Sequence, residues 1–154
     1  MKKTLLIFSV FIFTCSCSPK ISSQGIAATV EFVNHDEEGT ITVRSSGYGE
    51  KITNASYTAQ RNAFYVLLFK GVPGSKLKMP LIENEYEANQ KNGDYLDNLL
   101  NKGGYSKFTV SSTNNYPAQK EKGGGYGVSL NVKINYNSLR KDLEQNNLIR
   151  KFGF

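Results

Sequence analysis

The sequence predicts an α+β domain: an antiparallel sheet of about four strands with helices mostly on one face, in the order ββαααββα. Three patterns carry that prediction. Tyr126, Val128, Leu130, Val132, Ile134 and Tyr136 alternate with Gly127, Ser129, Asn131, Lys133 and Asn135, which gives one strand an apolar face and a polar face. Ala28, Val30 and Phe32, and then Ile41 and Val43, alternate on either side of the polar turn Asn34-His35-Asp36-Glu37-Glu38-Gly39, as in a β-hairpin. Between these regions Ala55, Ala59 and Ala63 recur four apart and so share one face of a helix.

The first sixteen residues stand outside the fold. Lys2 and Lys3 precede the apolar run from Leu5 to Phe13, and Thr14-Cys15-Ser16-Cys17 closes it with small residues. A spanning helix needs about 20 apolar residues and this run is roughly half that, so it reads as a secretion signal. The two cysteines fall at its end and none follow. That placement resembles the lipobox of bacterial lipoproteins, in which a small residue precedes a cysteine that is acylated and becomes N-terminal. Cys17, behind Ser16, fits better than Cys15, behind Thr14. Thr14 stands where the usual lipobox has Leu, a looser form that resembles Bacteroidetes-type signals. The plainer alternative is an ordinary cleaved signal whose cysteines are incidental. Residues 1–16 are therefore expected to be a lipoprotein signal peptide, 17–25 a lipidated tether and 26–154 one domain. Palmitate-like chains on Cys17 would hold the protein on a membrane, since two chains suffice where one is marginal. No acidic run follows Cys17 to resemble a surface-export signal, so the expected place is the outer membrane, facing the periplasm.

Removing sixteen residues leaves 138, enough to bury an apolar core, and no disulfide within one chain is then possible. The formal charge of +6 falls to +4 without Lys2 and Lys3. A mild excess spread along the chain, outside the cytoplasm, argues against nucleic acid as a partner.

The elements follow in order. After the hairpin, a helix is expected from Lys51 to Lys70, its alanine stripe extended by Ile52, Val66 and Leu67 and stopped by Gly71 and Pro73. Its end, Phe64 to Phe69, is apolar on most sides and should be deeply buried. Pro80 to Gln90 reads as a short helix with Glu83 and Glu85 near its start. Asp94 caps a further one carrying Tyr95, Leu96, Leu99 and Leu100 and ending at Gly103-Gly104. Ser106 to Ser111 reads as a strand, followed by a loop with Pro117 and Gly123-Gly124-Gly125. After the long alternating strand, Asn137 caps a helix that buries Leu139 and Leu143. Leu148 to Phe154 is too apolar for a loose tail and is expected to pack back on the domain.

Taken together, the hairpin, a Gly47-x-Gly49 turn, the alanine helix, the late alternating strand and the Leu-rich helix resemble one superfamily of small envelope lipoproteins. It includes the N-terminal domain of the flagellar assembly protein T. The resemblance covers most of Ala28 to Phe154, although the segment from Gly71 to Gly104 is longer than that pattern. It implies an accessory role in building or bracing an envelope assembly, without catalysis.

The residues themselves offer little chemistry. His35 is the only histidine, and His35-Asp36-Glu37-Glu38 are consecutive in a turn, whereas metal ligands usually come from separate elements or helical spacings. No serine lies in a Gly-x-Ser-x-Gly elbow. Gly47-Tyr48-Gly49 lacks the third glycine of a dinucleotide loop, Ile52 standing in its place. Glu83, Glu85 and Glu87 cluster in one short helix, the pattern of a charged face more than of a hydrolase pair. No enzyme activity, metal or cofactor is expected. Tyrosine, with nine copies and no Trp beside them, is the abundant candidate. Tyr48, Tyr105, Tyr116 and Tyr126 lie beside glycine or proline at loops or strand ends, where they either plug the core rim or form an interface. The leading expectation is a non-enzymatic lipoprotein docked on another envelope protein. The alternative is a small glycan- or peptidoglycan-binding module.

Overall fold

A computed structural model describes residues 29–35 and 39–150. The chain runs through β1 (Val30–His35), β2 (Thr40–Gly49), α1 (Ile52–Phe69), α2 (Glu85–Asn101), a 3-10 turn (Gly104–Phe108), β3 (Thr109–Asn114), β4 (Gln119–Lys120), β5 (Tyr126–Asn135) and α3 (Tyr136–Gln145). All strand pairs are antiparallel, in the order β1-β2-β5-β3, with the short β4 also paired to β5. The fold class is thus α+β, with five strands where about four were expected. Residues 1–28, on which the expected signal peptide, tether and Cys17 fall, and residues 36–38 and 151–154 lie outside the described residues.

The alternation in the sequence sets which face of the sheet is covered. Cross-strand pairs Ile41–Ile134 and Val43–Val132 are fully buried beneath α1, while Thr42, Arg44, Asn131 and Lys133 form the other, half-buried face. Ala55, Ala59 and Ala63 are fully buried, as their spacing predicts. Gly47 and Gly49 form no turn; they are among the last residues of β2 and lie directly under this stripe. A Cβ on Gly47 would stand 2.3 Å from both the Ala55 carbonyl oxygen and the Ala59 nitrogen. Helix backbone therefore fills the space a phosphate would need. Ser45, also fully buried, donates its hydroxyl to the Ala59 carbonyl at 2.7 Å, and Asn62 Nδ2 donates to the Ser46 carbonyl at 3.0 Å. Phe64, Leu67 and Leu68 continue the same core, each burial worth about 1.5–3 kcal/mol.

The two short helices expected between Pro80 and Gly103 are one helix with a break. Pro80 to Asn84 cannot start a helix because Leu81 and Ile82 donate their N–H groups to the Leu67 and Leu68 carbonyls at the end of α1, at 3.3 and 2.8 Å. Asn84 caps α2 instead, its side chain accepting from the Glu87 N–H at 3.0 Å. The break falls at Asn92 (φ −134°, ψ 33°), whose Nδ2 donates to the Asn146 carbonyl at 2.9 Å. Helix resumes directly after this break, so Asp94 lies in the first turn of the second half. The strand expected from Ser106 starts at Thr109, because Tyr105 and Phe108, three apart on a 3-10 turn, are both drawn into the core. Asn135 caps α3 in place of Asn137, accepting from the Ser138 N–H at 2.9 Å, while the Asn137 N–H donates to Gly39 at 3.2 Å in the hairpin turn. Leu139 and Leu143 are fully buried. Asn147 then takes a left-handed conformation (φ 56°), and Leu148 and Ile149 pack back on the core as expected.

Candidate functional site

The four tyrosines singled out in the sequence do not form one surface. Tyr105 is 2% exposed and stacks on Phe64, with ring centroids 5.2 Å apart. Burial pushes its phenol up to about 12, with smaller contributions from Tyr57, which raises it, and Arg61, which lowers it. It belongs to the core, and its place as an interface residue is withdrawn. Tyr48 and Tyr126 stand at one end of the sheet, in the neighbouring pairs Tyr48–Gly127 and Gly49–Tyr126. Alternation sends them to opposite faces. Tyr126 shares the face of Val128 and is half-buried against the core; Tyr48 points to the outer face, its hydroxyl donating to the Gly124 carbonyl. Tyr116, 61% exposed, sits in the loop after β3. Tyr48 and Tyr126 thus lie beside the glycine-rich loop on opposite faces of the sheet, and the exposed tyrosines share no one face.

A concavity lies elsewhere, beside the long segment that joins α1 to α2. A groove of about 690 Å³ runs between residues 76–84, the first half of α2 and the chain that follows α3. This volume is within the roughly 300–1,000 Å³ usual for binding pockets. Ile82 and Ala88 are buried at its base, Leu77, Leu81, Leu148 and Ile149 are half-buried along it, and Met79 is 69% exposed at its rim. No aromatic ring is among the described residues that line it.

Each wall has an identifiable cause. The bonds from Leu81 and Ile82 to the end of α1 hold the first wall extended. The broken turn at Asn92 fastens the second wall to the third through the Asn146 carbonyl. The left-handed Asn147, with the Leu148 N–H donating to the Leu143 carbonyl at 2.9 Å, turns the chain back beside α2. Short range governs the rim charges. Lys91 Nζ lies 2.5 Å from Glu87, and its hydrogen bond holds the Glu87 carboxyl below the usual range. Arg140 Nε meets Glu144 at 3.1 Å. Glu85 accepts from the Tyr65 hydroxyl at 3.0 Å; burial first, and Glu85 second, raise that phenol's pKa. Glu85 and Glu87 are therefore engaged with different partners.

Two features of the sequence point to this groove: the apolar run Met79-Pro80-Leu81-Ile82, and the length of the segment from Gly71 to Gly104. A shallower hollow of about 420 Å³ lies beside the first half of α1, with Ile52 and Tyr57 partly exposed in it. Among the described residues, no three His, Cys, Asp or Glu side chains gather as metal ligands, and no helix is long and apolar enough to cross a membrane. No protein-family model, curated protein or solved structure matches the chain.

Proposed function

We propose that this protein is a non-enzymatic, lipid-anchored component of a bacterial envelope assembly. It faces the periplasm from the outer membrane and docks a segment of another envelope protein in the groove between residues 76–92 and 140–150. The observation that carries the docking is the groove's lining. The described lining sets a strip of aliphatic side chains, Leu77, Leu81, Leu148 and Ile149 with Met79 at the rim, among charged and amide groups such as Lys76, Glu83, Lys91 and Arg150. Such a mixed surface suits an amphipathic peptide segment, its apolar side chains on the aliphatic strip and its polar groups on the charged rim. The lipobox-like end at Cys17 supports the anchor, and the resemblance to small envelope lipoproteins supports an accessory role.

Two experiments test the two halves. Cys17→Ala should leave the protein soluble in the periplasm; retention in the membrane by that variant contradicts the lipid anchor. Purification of the tagged chain from solubilised membranes should bring down one envelope protein, and Met79→Glu, at the exposed rim, should weaken that association. A chain that comes away alone and binds purified peptidoglycan sacculi would replace the docking proposal with the glycan-binding alternative.

A further inference from the structure

We propose that the free edge of β3 pairs two copies of this chain, strand against strand and antiparallel. This inference uses neither the groove nor the lipid anchor. Among the described residues β3 pairs only with β5, so the opposite side of the strand presents a row of backbone N–H and C=O groups. The strand reads Thr-Val-Ser-Ser-Thr-Asn from Thr109 to Asn114, six residues with no charge and no proline. Five of the six are exposed, including residues on both faces, so no helix covers it. Folded proteins ordinarily guard such edges with charges, prolines, bulges or brevity.

Those guards are present on every other stretch of the sheet's two edges. At the far edge β1 carries a bulge between Phe32 and Asn34, and Glu31 there pairs with Arg44 at 3.6 Å. On the same edge as β3, Pro117 interrupts the chain, and β4 beyond it is only two residues long and ends on Lys120. Among the described residues β3 alone offers an edge of several residues without charge or proline, its bulge being confined to the first pair.

The chemistry of the edge selects the occupant. Backbone donors and acceptors in a row are met by another extended chain. An uncharged strand can meet its own copy about a two-fold axis without like charges facing each other. The exposed apolar groups agree with this. Val110 (56% exposed) and Tyr116 (61% exposed) flank opposite ends of the strand, so antiparallel pairing brings Val110 of one copy toward Tyr116 of the second. The two sheets would join into one, with the helices of both copies on the same face.

The test is a cysteine scan in the full-length chain, processed in its own envelope. Val110, Ser111, Ser112, Thr113 and Asn114 are replaced by cysteine one at a time, and the chain is oxidised mildly. The sequence has no cysteine after Cys17, so the parent chain serves as the blank. A two-fold strand pair predicts a covalent dimer of this chain whose yield peaks several-fold at one or two positions near the axis. The yield should exceed that of Lys141→Cys on the exposed side of α3, and Thr113→Lys beside the best cysteine, or Ser111→Lys where that cysteine is at 113, should suppress it. Equal yields across the scan and at Lys141 overturn the proposal. An adduct whose mass is that of a different protein overturns it too, by giving the edge to a foreign strand.

Discussion

Replacing Gly47 by alanine drives a methyl group into the backbone of α1. The new carbon would stand 2.3 Å from both the Ala55 oxygen and the Ala59 nitrogen, and neither atom can swing aside as a side-chain tip would. Contact distances are about 3.5 Å, so the helix must retreat by roughly 1 Å. Overpacking of this kind costs about 1–3 kcal/mol. The same retreat stretches the 2.7 Å bond from Ser45 to the Ala59 carbonyl, and an unpaired buried hydroxyl costs about 1–3 kcal/mol more. The total, about 2–6 kcal/mol, is a large part of the 5–15 kcal/mol that holds a typical domain folded. With a urea slope of about 2 kcal/mol/M, the midpoint followed by circular dichroism should fall by roughly 1–3 M. Gly93→Ala is the control: nothing lies within 4 Å of its added carbon, and alanine should hold or raise stability by up to about 1 kcal/mol. A Gly47→Ala midpoint close to that of the parent would refute the claim that α1 rests on bare sheet backbone.

Asn84→Ala removes the cap of α2 and should cost about 1 kcal/mol in urea unfolding, with Asn84→Ser restoring most of it. Tyr105→Ala should cost about 3–5 kcal/mol, whereas Tyr105→Phe keeps the stack on Phe64 and loses only a long 3.4 Å bond to the Tyr57 carbonyl. Alkaline pH provides a separate check on that residue. Its phenol pKa is raised from 10.0 to about 12 in the fold, so an unfolding chain gives up the proton first. The stabilisation is complete below pH 10 and is lost as pH rises toward 12; Tyr105→Phe should flatten that decline. Met79→Glu alters an exposed rim residue, so it should weaken partner capture while moving the unfolding midpoint by less than about 0.5 kcal/mol equivalent.

Much of this architecture is legible in the residues because burial imposes a period on them. The alternation from Tyr126 to Asn135 and the alanine spacing at 55, 59 and 63 each state which side faces the core, and the structure places both there. Local patterns fail where the deciding partner is distant in sequence. Pro80 and Glu83 look like the start of a helix, yet the end of α1 claims the N–H groups of Leu81 and Ile82. Tyr105 looks like a loop residue beside Gly104, yet Phe64 and Tyr57 enclose it. Asn135 and Asn137 are equally good caps on paper; the bond from Asn137 to Gly39 shows where that residue's N–H is used instead. The groove was the least legible feature. Its walls come from three separate segments, and its shape depends on a break at Asn92 and a left-handed Asn147 that no hydrophobic period announces.

The docking claim is tested most directly by a photo-reactive residue at position 79, in the full-length chain, irradiated in intact cells. Position 79 stands 69% exposed on the groove rim. The account predicts a discrete adduct with one envelope protein, lost when Leu148→Glu sets a charge on the half-buried lining and absent when the reactive residue sits at position 48 on the far face of the sheet. Adducts with glycan strands alone, or protein adducts of equal yield from both positions, would contradict it.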